Sequence, residues 1–346
     1  MHLEQSDEAE LYLFLSVDII DSTKKKYNQD AYDQTWTQYF YSFFKEFPDM
    51  FESCLSEIKK SIFDEEIDQD IIINPWKYAG DEILFYIKIE QKRQVPYIVT
   101  AFKKALIDWG KQQSEKKKKE IDQDSNTVVQ EKDQNKKKFV ETEIKGCIWL
   151  GQFPFIDKKF TYYEEDNGEK GSENKKIDFI GPSIDCGFRL GKFASKRCIV
   201  ISMEVMDLCI TSELPLTFSF YKAEELKGVG NMEYPIFNLL LNRKDMNIIE
   251  DNIISHEKST IKHFLDAYYK TNETIYEGRI SRINRDDSEH LQAYLTEKTK
   301  EWREKKYASI KISDDNTYLP EPIQNKDNKD SKDLNTFVQE TINKSS

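Results

Sequence analysis

Long apolar runs are missing from this sequence of 346 residues. No stretch approaches the roughly 20 apolar residues that cross a bilayer, so neither a membrane-spanning helix nor a membrane partner is expected. The first ten residues are acidic and lack the basic-then-apolar order of a secretory signal. We therefore expect a cytoplasmic protein.

Cysteine and histidine are few, and basic residues are outnumbered by acidic ones. The five cysteines are scattered without metal-site spacing, which predicts reduced thiols. The four histidines lie away from the acidic segments considered below, so no histidine is expected in the active site. The chain has 51 Lys and Arg against 63 Asp and Glu, a net charge of −12. This balance argues against general nucleic-acid binding, which favours a basic surface.

Hydrophobic residues make up 38% of the chain, enough for a full core and one or two domains. The hydrophobic patterns predict, in chain order, a strand, helices, two strands, a helix, a strand, a helix and a strand. This order predicts an α+β fold with a mainly antiparallel sheet, in a ferredoxin-like βαββαβ arrangement with additions. Aromatic residues spaced three and four apart over residues 31–60 predict one or two helices, interrupted near Pro48.

Polar composition suggests where the folded units begin and end. We expect one main unit with two flexible polar insertions, then a helical extension and a disordered tail. The expected ranges are 1–242 for the main unit, 111–138 and 164–176 for the insertions, 243–311 for the extension and 312–346 for the tail. Periodicity within the extension predicts helices over 255–271 and 287–306.

Two short acidic segments carry the strongest functional signal. Val17–Thr23 ends an apolar run, and Lys77–Glu82 lies between two others. Each places an aspartate, Asp18 or Asp81, where a predicted strand meets a turn. Asp18 and the nearby Asp21 could instead be ordinary turn or N-cap residues. Brought together, the carboxylates of Asp18 and Asp81 form a hard oxygen site that suits Mg²⁺ or Mn²⁺ on a polyphosphate, as in phosphoryl chemistry.

Residues near the first segment extend this hypothesis. Side chains two apart on a strand share a face, so Phe14 lies further back on the Asp18 face, where a base or a partner chain could pack. Ser22 and Thr23 follow in the turn, where hydroxyl and backbone N–H groups can hold phosphate oxygens.

Charged residues elsewhere suggest further roles. If the strand runs regularly to the turn, Lys77 lies on the same face as Asp81. Lys77 could form a surface ion pair, which contributes little, or donate a hydrogen bond to a base or a phosphate. Asp185 and Arg189 lie four apart on a predicted helix and therefore share a face. They could form an ion pair with each other, or Arg189 could stabilise the negative charge that develops on a phosphate during transfer. Lys227, in a glycine-flanked hairpin, could also stabilise negative charge on a phosphate.

Four segments, in this order, resemble the catalytic domain of class III nucleotidyl cyclases, the adenylate and guanylate cyclases. They are Asp18–Thr23, Gly80-Asp81, Gly181–Arg189 and Lys227-Gly228, spread over residues 10–242. The resemblance implies that a nucleoside triphosphate is cyclised with two Mn²⁺ or Mg²⁺ ions per site. It also implies a head-to-tail homodimer whose two sites lie between protomers.

The resemblance also implies residue roles. The implied metal ligands are two carboxylates and one backbone carbonyl: Asp18, Asp81 and Ile19. Arg189 would stabilise the transition state, and Lys227 would bind phosphate. Asp185 stands where the family has an asparagine that orients the ribose, which puts that hydrogen bond in doubt.

The resemblance further implies which residues recognise the base. Lys77 and Asp178 align with the lysine–aspartate pair that recognises the base in adenylate cyclases. Lysine donates to a ring acceptor and aspartate accepts from an exocyclic amine. Adenine and cytosine each offer a ring acceptor beside an exocyclic amine. Uracil could also bind, with Asp178 accepting from N3–H and Lys77 donating to a carbonyl oxygen. The pair therefore argues against guanine and leaves the other three bases open, unless bulky neighbours such as Phe14 or Phe179 exclude a purine.

The segment Gly181–Arg189 also resembles the signature of the pyrimidine cyclases of Pycsar anti-phage systems. This narrower resemblance implies that UTP or CTP becomes cUMP or cCMP, which signals infection to a separate effector protein. The alternatives are an adenylate cyclase, a catalytically inactive nucleotide sensor and a polymerase-like palm. The presence of Asp18, Asp81, Arg189 and Lys227 argues against the sensor, and the acidic charge argues against the palm.

Overall fold

The computed structural model describes residues 3–5, 9–27, 35–61, 71–126, 143–154, 156–165, 173–227, 233–241 and 257–272, together with 297, 300, 301 and 304. Most of the helix predicted over 287–306 and the whole predicted tail lie outside the described residues. Of the described helices, none has the length and apolarity needed to cross a bilayer.

Seven strands form the main sheet, and three more form a small second sheet. In chain order the strands are β1 (Leu3–Gln5), β2 (Glu10–Ile19), β3 (Asn74–Ala79), β4 (Glu82–Lys88), β5 (Ile144–Phe153), β6 (Lys158–Glu165), β7 (Glu173–Ile180), β8 (Cys198–Ile201), β9 (Phe218–Glu225) and β10 (Glu233–Leu240). The main sheet has the spatial order β3-β4-β2-β5-β8-β10-β9. Strands β5 and β8 run parallel, and the other described neighbours are antiparallel.

The first four strands of the main sheet have the ferredoxin-like order, β3-β4-β2-β5. One helical connection links β2 to β3, and another links β4 to β5. The helices are α1 (Ser22–Tyr27), α2 (Thr35–Ser61), α3 (Gln94–Asn126), α4 (Pro182–Leu190), α5 (Met203–Ile210) and α6 (Lys258–Thr271). The predicted α+β fold with a mainly antiparallel sheet is therefore confirmed.

Helix α2 is continuous through Pro48, so the predicted interruption is wrong. A proline inside a helix costs roughly 3 kcal/mol because a hydrogen bond is lost and its ring clashes with the preceding turn. Phe43, Phe47 and Phe51 on this helix are fully buried. Each contributes about 1.5–3 kcal/mol on burial, so together they outweigh the proline. Packing thus overrides the local preference.

The predicted polar insertions are partly structured. Helix α3 continues to Asn126, and residues 127–142 lie outside the described residues. Of the second insertion, residues 164–165 and 173–176 belong to the paired strands β6 and β7, and residues 166–172 lie outside the described set. The sequence pattern did not predict this hairpin or its pairing with β1. Yet β7 carries Asp178, so the small sheet matters for the site.

The described part of the predicted extension packs on the main sheet. Phe264 of α6 contacts Phe220 of β9 and Phe237 of β10, with ring centroids 5.8 and 5.9 Å apart. Helix α6 confirms the helix predicted over 255–271.

The two faces of the main sheet are covered by different helices. On β5, Gly146 lies against α3, whereas Trp149 lies against Gly187 of α4. Phe14 pairs with Trp149 across β2 and β5. Phe14 and Asp18 share a strand face by parity, so both lie on the α4 side of the sheet.

We expect Gly187→Ala to destabilise the protein by about 1–3 kcal/mol, as overpacking does. A Cβ at Gly187 would lie 2.2 Å from Trp149 Cδ2, so helix α4 has to move. Thermal unfolding measures the effect, at about 2–4 °C per kcal/mol for a chain of this order of size. Gly191→Ala is the matched control, because a Cβ there meets nothing within 4 Å. Equal unfolding midpoints for the two variants would contradict the prediction.

Candidate active site

Two carboxylates from distant segments meet at the edge of the β2–β4 ladder. Asp18 lies near the end of β2, and Asp81 lies in the turn between β3 and β4. The Ile19 N–H donates to the backbone carbonyl of Asp81 at 3.2 Å. Gly80, with φ of 72°, makes the tight turn that presents Asp81. The Asp81 carboxyl is close enough to the Asp18 carboxyl to interact with it electrostatically.

The turn after β2 supports Asp81 from the other side. Asp21 has a φ of 55°, and helix α1 begins at the next residue, Ser22. The Ser22 hydroxyl is buried and donates to the Asp81 carboxylate. Thr23 is exposed. In this protomer Ser22 therefore orients Asp81, and the phosphate role of Ser22 and Thr23 stays a prediction.

Two charged residues that the sequence did not single out flank Asp18. Lys145 faces it across β5, with Nζ 3.1 Å from Asp18 Oδ2, and Glu82 faces it across β4. Strand register brings these side chains together. The adjacency of Glu82 to Asp81 was the only signal in the sequence, and nothing there pointed to Lys145.

Negative charge accumulates in this corner. Burial raises the pKa of the Asp18 carboxyl; the Lys145 ammonium opposes this, and Asp81 adds to it. Burial also raises the pKa of the Glu82 carboxyl; a hydrogen bond from Ser16 opposes this, and repulsion by Asp18 and Asp81 adds to it. A bound cation would relieve this repulsion.

The donor set fits a hard divalent cation. Asp18 and Asp81 supply carboxylate oxygens, which Mg²⁺ and Mn²⁺ prefer. Within the described residues, no group of three or more His, Cys, Asp or Glu could hold a metal by itself. Mg²⁺ is commonly held by one or two carboxylates together with phosphate oxygens of a substrate. Coordination by the Ile19 carbonyl stays a prediction.

A second polar pair lies where the two sheets meet. Lys77 Nζ on β3 is 2.7 Å from Oδ1 and 2.9 Å from Oδ2 of Asp178 on β7. Their side chains are 44% and 32% exposed, so a ligand can reach both. Lys77 forms its ion pair with Asp178. Strand β3 ends at Ala79, and Gly80 has a positive φ, so the strand does not run regularly to Asp81 and the condition for a shared face is not met.

Phe14 lies in an aromatic cluster behind this pair. It is 0% exposed and stacks on Trp149 at 5.6 Å and 12°. Phe179 meets it edge-on at 4.9 Å. Phe14 therefore has no surface on which a base or a partner chain could pack in this protomer. The strand pattern gave the correct face but not the depth of burial.

The basic residues of the hypothesis lie apart from the carboxylates. Asp185 and Arg189 are exposed on α4, and Lys227 is exposed after β9. Within the described residues, Asp185 and Arg189 form no ion pair with each other. No contact in that part of the chain joins Arg189 or Lys227 to Asp18. One protomer thus brings together the acidic groups and, separately, the Lys77–Asp178 pair.

A cavity of about 190 Å³ lies between the sheet and α4, on the Asp18 face. Its wall is charged near Asp18 and aromatic near α4. The charged side chains that line it are Asp18, Glu82, Lys145 and Lys192, and the aromatic ones are Trp149 and Phe188.

Comparison with known proteins finds distant structural similarity only. The sequence matches no family model and no curated protein. The chain is similar to the adenylyl cyclase CyaB from P. aeruginosa at 13% identity and a TM-score of 0.38, covering 71% of this chain and 100% of that one. It is also similar to the guanylate cyclase domain of RhGC from Catenaria anguillulae in complex with GTP, at 10% identity and a TM-score of 0.39, covering 66% and 96%.

A third similar structure is a bacterial light-regulated adenylyl cyclase, at 8% identity and a TM-score of 0.36, covering 74% of this chain and 98% of that one. At these identities and TM-scores the similarity decides neither substrate nor activity.

Proposed function

We propose that this chain is a class III nucleotidyl cyclase that converts UTP or CTP to the 3′,5′-cyclic monophosphate and pyrophosphate. The proximity of Asp18 and Asp81, whose segments are joined by the hydrogen bond from the Ile19 N–H to the Asp81 carbonyl, carries the proposal. These groups come from separate segments and carry like negative charge that Lys145 offsets only in part. They offer the oxygen donors that a metal–triphosphate complex needs. Residues 1–242 form the proposed catalytic unit.

The reaction joins the nucleotide's own 3′-oxygen to its α-phosphorus. The bond from the α-phosphorus to the bridging oxygen breaks, pyrophosphate leaves, and the hydroxyl proton passes to solvent. Bound Mg²⁺ or Mn²⁺, two ions per site, supplies charge neutralisation and alignment of the triphosphate. Asp18, Asp81 and the Ile19 carbonyl would hold these ions.

Basic residues complete the proposed site. Arg189 stabilises charge that develops on the α-phosphoryl group, and Lys227 binds the polyphosphate. Asp185 orients the ribose in place of an amide. Ser22 holds Asp81 in place, and Thr23 lies exposed beside the phosphates.

A head-to-tail homodimer is the proposed assembly. Among the described residues of one protomer, Arg189 and Lys227 make no contact with Asp18, whereas the proposed reaction needs both near the metal-bound triphosphate. A second copy, related by a two-fold axis, supplies them and forms two equivalent sites.

The base is read by Lys77 and Asp178, which present one donor and one acceptor side by side. The pyrimidine preference rests on the Gly181–Arg189 resemblance. Phe14 and Phe179 are buried, so we assign them to the wall behind the pair rather than to contact with the base. In the cell the product would be released in the cytoplasm and sensed by a separate effector in anti-phage defence.

Incubating the purified chain with ATP, GTP, CTP and UTP in turn, with Mn²⁺, should yield a cyclic monophosphate and pyrophosphate from UTP or CTP. Chromatography with mass detection identifies each product. Product from ATP alone would establish the adenylate cyclase alternative instead. Tight triphosphate binding with no product from any of the four would support the inactive sensor.

A further inference from the structure

Strand β3 contains an irregularity next to the base-reading lysine. Its pairing with β4 matches Pro75 to Phe85 and Lys77 to Leu84, so Trp76 has no register partner. In a regular strand, neighbouring side chains point to opposite faces. An extra residue of this kind bends the strand and re-aims its side chains. Trp76 and Lys77, although adjacent, therefore reach the same carboxylate.

The Asp178 carboxylate is held mainly through one oxygen. Oδ1 accepts from Trp76 Nε1 at 3.1 Å and from the Phe179 backbone N–H at 2.9 Å, and lies 2.7 Å from Lys77 Nζ. Oδ2 accepts from Lys77 Nζ at 2.9 Å, its one donor among the described residues. A carboxylate oxygen has about two acceptor positions, so Oδ2 keeps one for a ligand.

Trp76 is itself held firmly. Its ring meets Phe179 edge-on at 5.3 Å and also contacts Phe14 and Phe188. Lys77 Nζ lies 4.7 Å from the centre of the same ring, a cation–π distance. One indole thus contacts both members of the pair, the carboxylate through its N–H and the ammonium through its face.

We propose that Trp76 is a positioning residue that sets base selectivity. It fixes Asp178 so that Oδ2 and Lys77 Nζ form a rigid acceptor–donor pair facing the edge of the base. This inference rests on the proposed function. Removal of the indole N–H frees the carboxylate to rotate and the lysine to follow it. The pair then accepts bases of different hydrogen-bonding pattern more equally.

Trp76→Phe tests the proposal, because it keeps an aromatic ring and removes the N–H. We expect KM for the preferred triphosphate to rise about tenfold, the scale of a lost hydrogen bond to a charged group, while kcat changes little. The ratio of kcat/KM between the preferred and the next-best triphosphate should fall by a similar factor. Trp36→Phe on α2 is the matched control and should change neither value.

Binding of 3′-deoxynucleoside triphosphates, which lack the attacking hydroxyl, measures the same selectivity by calorimetry without turnover. Trp76→His returns a ring N–H and should recover part of the discrimination. If Trp76→Phe unfolds, 3-benzothienylalanine at position 76 keeps the indole shape and replaces the N–H by sulfur. Unchanged discrimination in that protein or in Trp76→Phe overturns the inference. Failure of the unaltered chain to bind or cyclise any triphosphate overturns the proposed function instead.

Discussion

Asp18→Asn should abolish cyclisation and, at the same time, stabilise the metal-free protein. The loss in kcat should be about 10³-fold, because charge stabilisation by a bound metal is worth several kcal/mol and each 1.36 kcal/mol is tenfold in rate. Stability moves the other way because the ionised Asp18 is half-buried beside Asp81, and the ion pair with Lys145 offsets that cost only in part. A stability cost of this kind is what a site kept for activity is expected to carry.

The sign follows from proton binding. Burial raises the pKa of Asp18 in the folded chain above its value in the unfolded chain. Between the two pKa values the folded chain binds more protons, so stability falls as pH rises through that window and stays lower above it. Asparagine resembles the protonated carboxyl and avoids this loss. The stability gain should therefore be present at neutral pH and vanish in acid, below the ordinary aspartate pKa of about 3.9.

Thermal unfolding with chelator present checks the stability effect, and we expect the midpoint to rise by about 2–4 °C, equivalent to roughly 1 kcal/mol. Added Mn²⁺ should raise the midpoint of the unaltered chain, because a ligand that binds only the folded state stabilises it. The variant should respond far less. Asp266→Asn on α6 is the matched control: burial raises the pKa of that carboxyl too, but activity should survive. An active Asp18→Asn enzyme would remove the metal hypothesis.

Mixing two inactive variants should restore activity if the site lies between protomers. Arg189→Ala is expected to lower kcat by about 10³-fold, at the lower end of what a transition-state arginine supplies in phosphoryl transfer. In a heterodimer of Asp18→Asn with Arg189→Ala, one site carries both substitutions and the other carries neither. Random pairing of equal amounts makes half the dimers mixed, so activity should return to about a quarter of the unaltered level.

Asp18→Asn mixed with Asp81→Asn is the matched control. Both substitutions fall in the same half of the proposed site, so every site in that mixture has a defect and activity should stay absent. Size-exclusion chromatography with light scattering establishes that the mixtures are dimeric. Dimeric mixtures in which the first pair shows no recovery would mean that each protomer carries a whole site.

Much of the fold followed from the chain's local patterns. The alternation of apolar strands with helical segments predicted the βαββαβ order, because strand and helix periods are written directly in the sequence. Helix α2 through Pro48 did not follow. The gain from burying Phe43, Phe47 and Phe51 depends on the helix that packs against them, which no local window contains.

The candidate site divides in the same way. Asp18 and Asp81 could be selected from sequence because each stands where an apolar run meets a turn. Only the tertiary structure brought their carboxyls together and put Lys145 opposite Asp18, because cross-strand neighbours depend on register. Similarly, the sequence showed Lys77 as a charged residue in a predicted strand. Only the structure showed that Trp76 has no register partner in β4, so that Trp76 and Lys77 both reach Asp178. The local sequence determined which segments form strands. The packing of the whole sheet determined the register between strands and the irregular pairing of β3 with β4.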